Sequence, residues 1–198
     1  MTDLGERGAR GINRNGQIVG QNGNANAFLY SNGTMTDLGT LGGSGSMAYG
    51  LNDVGQVVGQ SNTTKGNAYL RHAFLYSNGT MTDLGTLGGD WSCAYGIDNG
   101  GHVVGQSANS SNVYGFSAFL YTNGVMTDLN NLISPSPRWN LLEASAINNL
   151  GQIVGYGINP QGSEHAFLLT PVPEPSTFVL LGMGAAGLLG FAWRRRRA

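Results

Sequence analysis

The sequence predicts an all-β protein: a repeat array of four-stranded antiparallel units, stacked in the manner of a β-propeller. Three observations predict it. One stretch is copied along the chain, turn signals fall at fixed offsets between short apolar runs, and charged residues make up only 11% while glycine numbers 33. Sparse charge and abundant glycine exclude a charged helical or coiled-coil body. Short apolar runs bounded by Asn, Asp and Gly read as strands.

The copied stretch is AFLYSNGTMTDLGTLGG, which occupies Ala27 to Gly43 and returns unchanged at Ala73 to Gly89. It recurs with changes from Ala118 to Leu132, and its first part survives at Ala166 to Thr170. Its MTDLG segment also opens the chain at Met1 to Gly5. A second unit lies between the copies: GINRNGQIVG at Gly11, GLNDVGQVVG at Gly50, GIDNGGHVVG at Gly96 and AINNLGQIVG at Ala146.

Each second unit carries an Asx residue followed at the fourth place by Gly, in Asn13 to Gly16, Asn52 to Gly55, Asp98 to Gly101 and Asn148 to Gly151. An Asx side chain bonds the backbone two residues on and a terminal Gly accepts positive φ, so this spacing closes a hairpin. The SNG or TNG between AFLY and MTDL closes another, with Gly33, Gly79 and Gly124 in the left-handed position.

Every repeat thus reads as four strands: A-x-G-I-N, QVVG, AFLY and TMTDL. The nearly continuous apolar character of QIVG and AFLY predicts strands covered on both faces. One small sheet cannot cover itself, so neighbouring repeats stack. The MTDL copies begin at Met1, Met35, Met81 and Met126, a spacing of about 34 to 46 residues that suits a propeller blade. The repeats fall at about 1–34, 35–80, 81–125 and 126–170. Met1 to Leu4 supplies the strand that the last repeat lacks if the ends meet, giving a ring of about four blades. Otherwise the array is part of a larger ring or an open one with bare edges.

In a four-stranded meander the first and third connections share one face. The second connection and the links between sheets share the other, and these are the connections that vary in length. Variable loops on one face of a rigid scaffold are where binding is usually built. Trp91, Trp139, Tyr69, Tyr114, Lys65 and Arg71 fall in or beside them and form the candidate ligand-binding set. Exposed aromatics stack on flat ligands, sugar rings included; packing between sheets is the other reading of Trp91 and Trp139.

Asp3, Asp37, Asp83 and Asp128 share one repeat position. A ring would gather them as Ca²⁺ candidates, but capping of the turn after each strand is the favoured reading, and no dense Asp/Asn/Gly ligand loop occurs. His72, His102 and His165 sit at unlike repeat positions, so no metal or other cofactor is expected. Cys93 is the single cysteine, which excludes a disulfide framework and a CxxC site. Four of the ten basic residues are Arg194 to Arg197, so the repeat body is mildly acidic and unsuited to nucleic acid. No G-x-S-x-G, H-E-x-x-H or P-loop occurs. An enzyme generally breaks repeat symmetry to build one site, and the sequence shows no such place.

The repeat units, with His72-Ala73-Phe74 and His165-Ala166-Phe167, resemble the HAF family of extracellular repeats. Asn26 and Ser117 stand where the other two copies would carry the histidine. The resemblance covers residues 1 to about 170, implies a bacterial extracellular setting and brings no catalytic residues.

At Thr170 the composition changes. Pro171, Pro173 and Pro175 hold an extended linker over 171–177. Residues 178–193, Phe178 to Trp193, are uncharged and apolar and read as a short membrane-spanning helix without a polar stripe. Arg194, Arg195, Arg196 and Arg197 follow and fix the 194–198 tail on the cytoplasmic side, with the repeats outside.

Val172-Pro173-Glu174-Pro175-Ser176, the apolar segment and the arginine cluster together resemble a PEP-CTERM sorting signal. That resemblance implies a Gram-negative bacterium, a membrane-embedded exosortase as partner, and removal of the tail near Pro173 to Pro175. The opening MTDLGERGARGINRNG has no apolar export segment, so the true start and further repeats are expected to precede Met1. The expected function is that of an exported, noncatalytic surface or matrix protein associated with polysaccharide or adhesion. A specific lectin and a fragment of a polysaccharide-active enzyme are the alternatives.

Overall fold

The Asx-x-x-Gly tetrads decide where the chain reverses. In the computed structural model, which describes residues 8–63, 70–112, 114–135 and 138–172, Gly16, Gly55, Gly101 and Gly151 all take positive φ. The Asn13 Oδ1 accepts from the backbone N–H of Asn15 and Gln17, each at 3.0 Å, and Asn148 does the same for Leu150 and Gln152. The shorter hairpins turn on two left-handed residues rather than one: Asn32 with Gly33, Asn78 with Gly79 and Asn123 with Gly124. Such a pair matches the right-handed twist of the strands it joins.

These turns divide the described chain into four antiparallel sheets. The first holds β1 (Gly8–Ile12), β2 (Ile18–Gln21), β3 (Ala27–Ser31) and β4 (Thr34–Asp37). The second holds β5 (Gly42–Leu51), β6 (Val57–Thr63), β7 (Arg71–Ser77) and β8 (Thr80–Asp83). The third holds β9 (Ser92–Ile97), β10 (Val103–Ala108), β11 (Phe116–Thr122) and β12 (Val125–Asp128). A 3₁₀ turn (Leu129–Asn131) leads to the fourth, β13 (Asn140–Ile147), β14 (Ile153–Ile158) and β15 (Glu164–Leu169). Each sheet is a meander in sequence order, and the TMTD or VMTD strand closes the sheet that precedes it.

Three apolar clusters join consecutive sheets. Val19, Ala27 and Leu38 of the first sheet meet Ala48, Val57 and Phe74 of the second. Val58, Ala73 and Leu84 then meet Ala94, Ile97, Val103 and Phe119 of the third. Val104, Ala118 and Leu129 meet Leu141, Ala144 and Ile153 of the fourth. Adjacent residues of QVVG thus serve opposite faces: the first packs backward and the second forward, which is why the run is continuously apolar. None of the three clusters joins the fourth sheet to the first. Among the described residues the clusters thus join the sheets in sequence order and a closed ring is not shown, although Ile12, Leu51, Ile97 and Ile147, one from each sheet, line a common hollow.

The first strand of every sheet carries a β-bulge at one place, leaving Arg10, Tyr49, Tyr95 and Ser145 out of register. The bulge presses a carbonyl onto the middle strand. A side chain at Gly20, Gly59, Gly105 or Gly155 would collide with the carbonyl of Gly8, Met47, Cys93 or Glu143 respectively. This requirement, rather than turn formation, places Gly in every QVVG unit. The bulged side chains also stack from sheet to sheet, with the Arg10 guanidinium 5.2 Å from the Tyr49 ring and Tyr49 edge-on to Tyr95 at 5.5 Å.

No helix among the described residues is long and apolar enough to cross a membrane. The expected spanning segment, residues 178–193, lies outside the described residues, as do Met1 to Leu4.

Candidate functional site

At the first two junctions the link between sheets is a compact loop tied down by hydroxyls. Thr40 Oγ1 donates to the Gly43 carbonyl at 3.0 Å and the Leu41 N–H donates to Ser61 Oγ at 2.8 Å. Thr86, Gly89, Leu87 and Ser107 repeat the arrangement. At the third junction the repeat regularity breaks. Gly157 stands in place of Ser61 and Ser107, pairing with His165 as Ser61 pairs with His72 and Ser107 with Ser117, and it offers no hydroxyl. The link there is NNLISPSPRW, and it leaves open a cleft of about 940 Å³ between the third and fourth sheets.

The second connections and the third link line this cleft: Asn109, Asn112 and Tyr114 from the third sheet's connection, Asn159 and Pro160 from the fourth's, and Asp128, Asn130, Arg138, Trp139 and Asn140 from the link and its ends. The amides are held in fixed orientations. Asn112 and Asn140 exchange reciprocal amide hydrogen bonds at 2.9 and 3.0 Å. Asn130 accepts the Leu141 N–H at 2.7 Å and donates to the Leu141 carbonyl at 3.0 Å, mimicking a strand neighbour. Asp128 caps the 3₁₀ turn through the Asn130 N–H at 2.9 Å and accepts from Asn109 Nδ2 at 3.0 Å. The cleft thus offers an aromatic wall, an ordered set of amides, one carboxylate and one guanidinium. Such a surface suits a neutral or weakly charged polyhydroxyl ligand, with stacking on a ring and hydrogen bonding at its edges.

The structure separates the sequence-derived candidates. Trp139 and Tyr114 line the cleft, and Trp139 also packs against the core cluster of the third junction. Trp91 lies elsewhere, edge-on to Phe116 at 5.8 Å. Arg71 lines a smaller hollow with Gln21, Ser44 and Gln60. Lys65 and Tyr69 lie outside the described residues. Asn112, Arg138 and Asn140 were not singled out by the sequence; the departure of ISPSPRWN from the GTLGG link was the available signal.

Asp37, Asp83 and Asp128 each accept the backbone N–H two residues on, from Gly39, Gly85 and Asn130 at 2.8, 2.7 and 2.9 Å. Asp37 also accepts from Asn22 and Asn26, and Asp83 pairs with His72 Nδ1 at 2.8 Å. Burial pushes the Asp37 carboxyl up, but the Gly39, Asn22 and Asn26 donors outweigh it and leave it below its ordinary range. Among the described residues no three His, Cys, Asp or Glu side chains converge to hold a metal; Asp3 is outside them. Cys93 is buried, and that burial pushes its thiol up to about 12, so it stays protonated and unreactive at neutral pH.

Immediately beyond β15 the chain enters a segment of a different kind. Residues 171–197 match the PEP-CTERM protein-sorting motif. The motif implies an exported protein sorted to the cell surface and processed by an exosortase. Of its expected recognition residues only Val172 is described, exposed just past β15; Pro173, Glu174, Pro175, Ser176 and Arg194 to Arg197 lie outside the described residues. No curated protein and no solved structure matches the chain. The PEP-CTERM signal therefore supplies the address.

Proposed function

We propose that this protein is a noncatalytic, exosortase-sorted surface or matrix component that associates with extracellular polysaccharide through the cleft between its third and fourth sheets. The observation that supports this most directly is the break in repeat regularity, because it gathers Tyr114, Arg138, Trp139 and ordered amides at one place on the variable-loop face. In this reading the repeats are of the HAF type and the sheets are blades of a propeller-like array. Residues 178–193 hold the chain in the membrane, with Arg194 to Arg197 on the cytoplasmic side, until the exosortase removes them.

The test is retention of the surface-released protein on immobilised exopolysaccharide of its own host. Tyr114 is exposed, so Tyr114→Ala spares the fold. Loss of one stacking ring, worth about 1–1.5 kcal/mol, weakens retention roughly tenfold. Retention that is unchanged in Tyr114→Ala and in Arg138→Ala would overturn the reading. Cleavage of an oligosaccharide by the same protein would favour the polysaccharide-active alternative.

A further inference from the structure

One hollow occurs twice, at the same repeat position but with different walls. On the second sheet Ser44, Gly45, Gln60, Asn62 and Arg71 help to line a hollow of about 320 Å³. On the third sheet Asp90, Trp91, Gln106, Ala108 and Phe116 line one of about 490 Å³. The positions correspond in order. Gly45 and Trp91 precede the serines whose hydroxyls accept the Ala27 and Ala73 N–H groups, and Gln60 and Gln106 pair with Ala73 and Ala118. Trp91 in place of Gly45, Phe116 in place of Arg71 and Ala108 in place of Asn62 turn a polar hollow into an aromatic one. Its two rings lie 5.8 Å apart at 86° and form two of its walls. Phe116 is 42% exposed, and Asp90 is exposed beside it. Gln21 and Gln60, which hold the place of Gln106 in the first two sheets, donate their amides to protein acceptors, whereas the Gln106 amide has no such partner among the described residues.

This hollow adjoins the cleft. Tyr114 lines the cleft and Phe116 lines the hollow, with only Gly115 between them, so their Cα atoms are at most about 7 Å apart. Hydrogen bonds hold the segment in shape. The Asn109 N–H donates to the Gly115 carbonyl at 3.0 Å, the Gly115 N–H to the Asn112 carbonyl at 2.8 Å, and the Asn112 amide to Ser117 Oγ at 2.9 Å.

We infer that the Trp91 and Phe116 hollow is a second saccharide subsite, and that one polysaccharide chain runs from the cleft past Gly115 into it. The inference rests on the polysaccharide reading of the cleft. A sugar ring stacks its C–H face on an aromatic ring and turns its hydroxyls to the edge, where the Gln106 amide both donates and accepts and Asp90 accepts. Asp90 is the one charged residue that lines the hollow, so the unit held there is a neutral sugar rather than an acidic one. Because both subsites sit on one fixed scaffold, filling the second is an intramolecular step, and affinity rises with chain length until both are filled.

The test uses the surface-released protein and two probes in solution: the intact exopolysaccharide of its host, and the disaccharide obtained from that polymer by partial hydrolysis. The parent is expected to bind the polymer at least about tenfold more tightly than the disaccharide. Phe116→Ala and Trp91→Ala are each expected to lower that preference about fivefold, while Phe116→Tyr, which keeps the ring, retains it. Tyr114→Ala, in the cleft, is expected to weaken binding of both probes. A preference unchanged in both Phe116→Ala and Trp91→Ala, with Tyr114→Ala still weakened, would overturn the second subsite and leave the cleft standing. Equal loss in Phe116→Tyr would also overturn it, by tracing the effect to the shape of the segment rather than to the ring. Failure of the parent to bind either probe would instead overturn the polysaccharide reading itself, and this inference with it.

Discussion

At the scale of single residues, the stacking rests on glycines whose role is invisible without the bulges. Gly59 has the Met47 carbonyl against it, so Gly59→Ala forces two strands apart. We expect a loss of about 3 kcal/mol, measured by denaturant unfolding, with the greatest loss of amide protection in β5 and β6. A Gly59→Ala protein as stable as the parent would mean that the bulge carbonyl can move aside. Cys93 offers a second check. Its thiol, pushed up to about 12 by burial, is expected to resist alkylation in the native protein at pH 8 and to react promptly in denaturant. The sequence showed that Cys93 has no cysteine partner and suggested a small, partly buried thiol, which the structure buries. It showed nothing of the bulge, because Arg10, Tyr49, Tyr95 and Ser145 share no side-chain type.

At the scale of elements, the hairpin tips both end strands and tie sheets together. The sequence made the first role legible through the Asx-x-x-Gly spacing. The second depends on which turn lies beside which, and that follows from stacking order rather than from local pattern. Asn52 shows both: its Oδ1 accepts the Gln56 N–H at 2.9 Å, and its Nδ2 donates to the Asp98 carbonyl of the next sheet at 2.9 Å. Asn52→Ala leaves buried partners unpaired and is expected to cost about 2 kcal/mol, lowering Tm by about 6 °C. Asn148, whose Nδ2 bonds only Gln152 of its own turn among the described residues, should cost less on the same substitution. The same dependence on stacking explains the partial legibility of the cleft. Loop variability pointed to Trp139, Tyr114 and Trp91 together, but the third junction gathers the first two and leaves Trp91 beside Phe116. Nor could spacing alone reveal that Asn112 and Asn140, far apart in sequence, lock one another in place.

At the scale of the whole molecule, few ionised groups hold the array, so its acid sensitivity traces to a small number of carboxylates. Asp37 and Asp53 both sit below their ordinary value of 3.8. In Asp37 the donors outweigh burial; in Asp53 the Asn99 amide leads, followed by the Arg14 N–H. A depressed carboxylate stabilises the fold fully above its unfolded value, and that contribution is lost as pH falls through the folded one. Tm should therefore be flat at neutral pH and fall between about pH 5 and about pH 2, with a shallower fall in Asp37→Asn. An equally steep fall in that variant would place the acid sensitivity elsewhere. Repetition made the number and type of sheets legible at this scale, while closure was not, since matching strand counts do not fix the angle between neighbouring sheets.

The account's central claim is that this β array is exported and parted from its sorting tail. It is tested most directly by the intact mass, with terminal sequencing, of the protein recovered from the surface and medium of its native host. The predicted product carries the repeat body and ends near Pro173 to Pro175. A chain that remains in the cytoplasm with Arg194 to Arg197 still attached would contradict the claim.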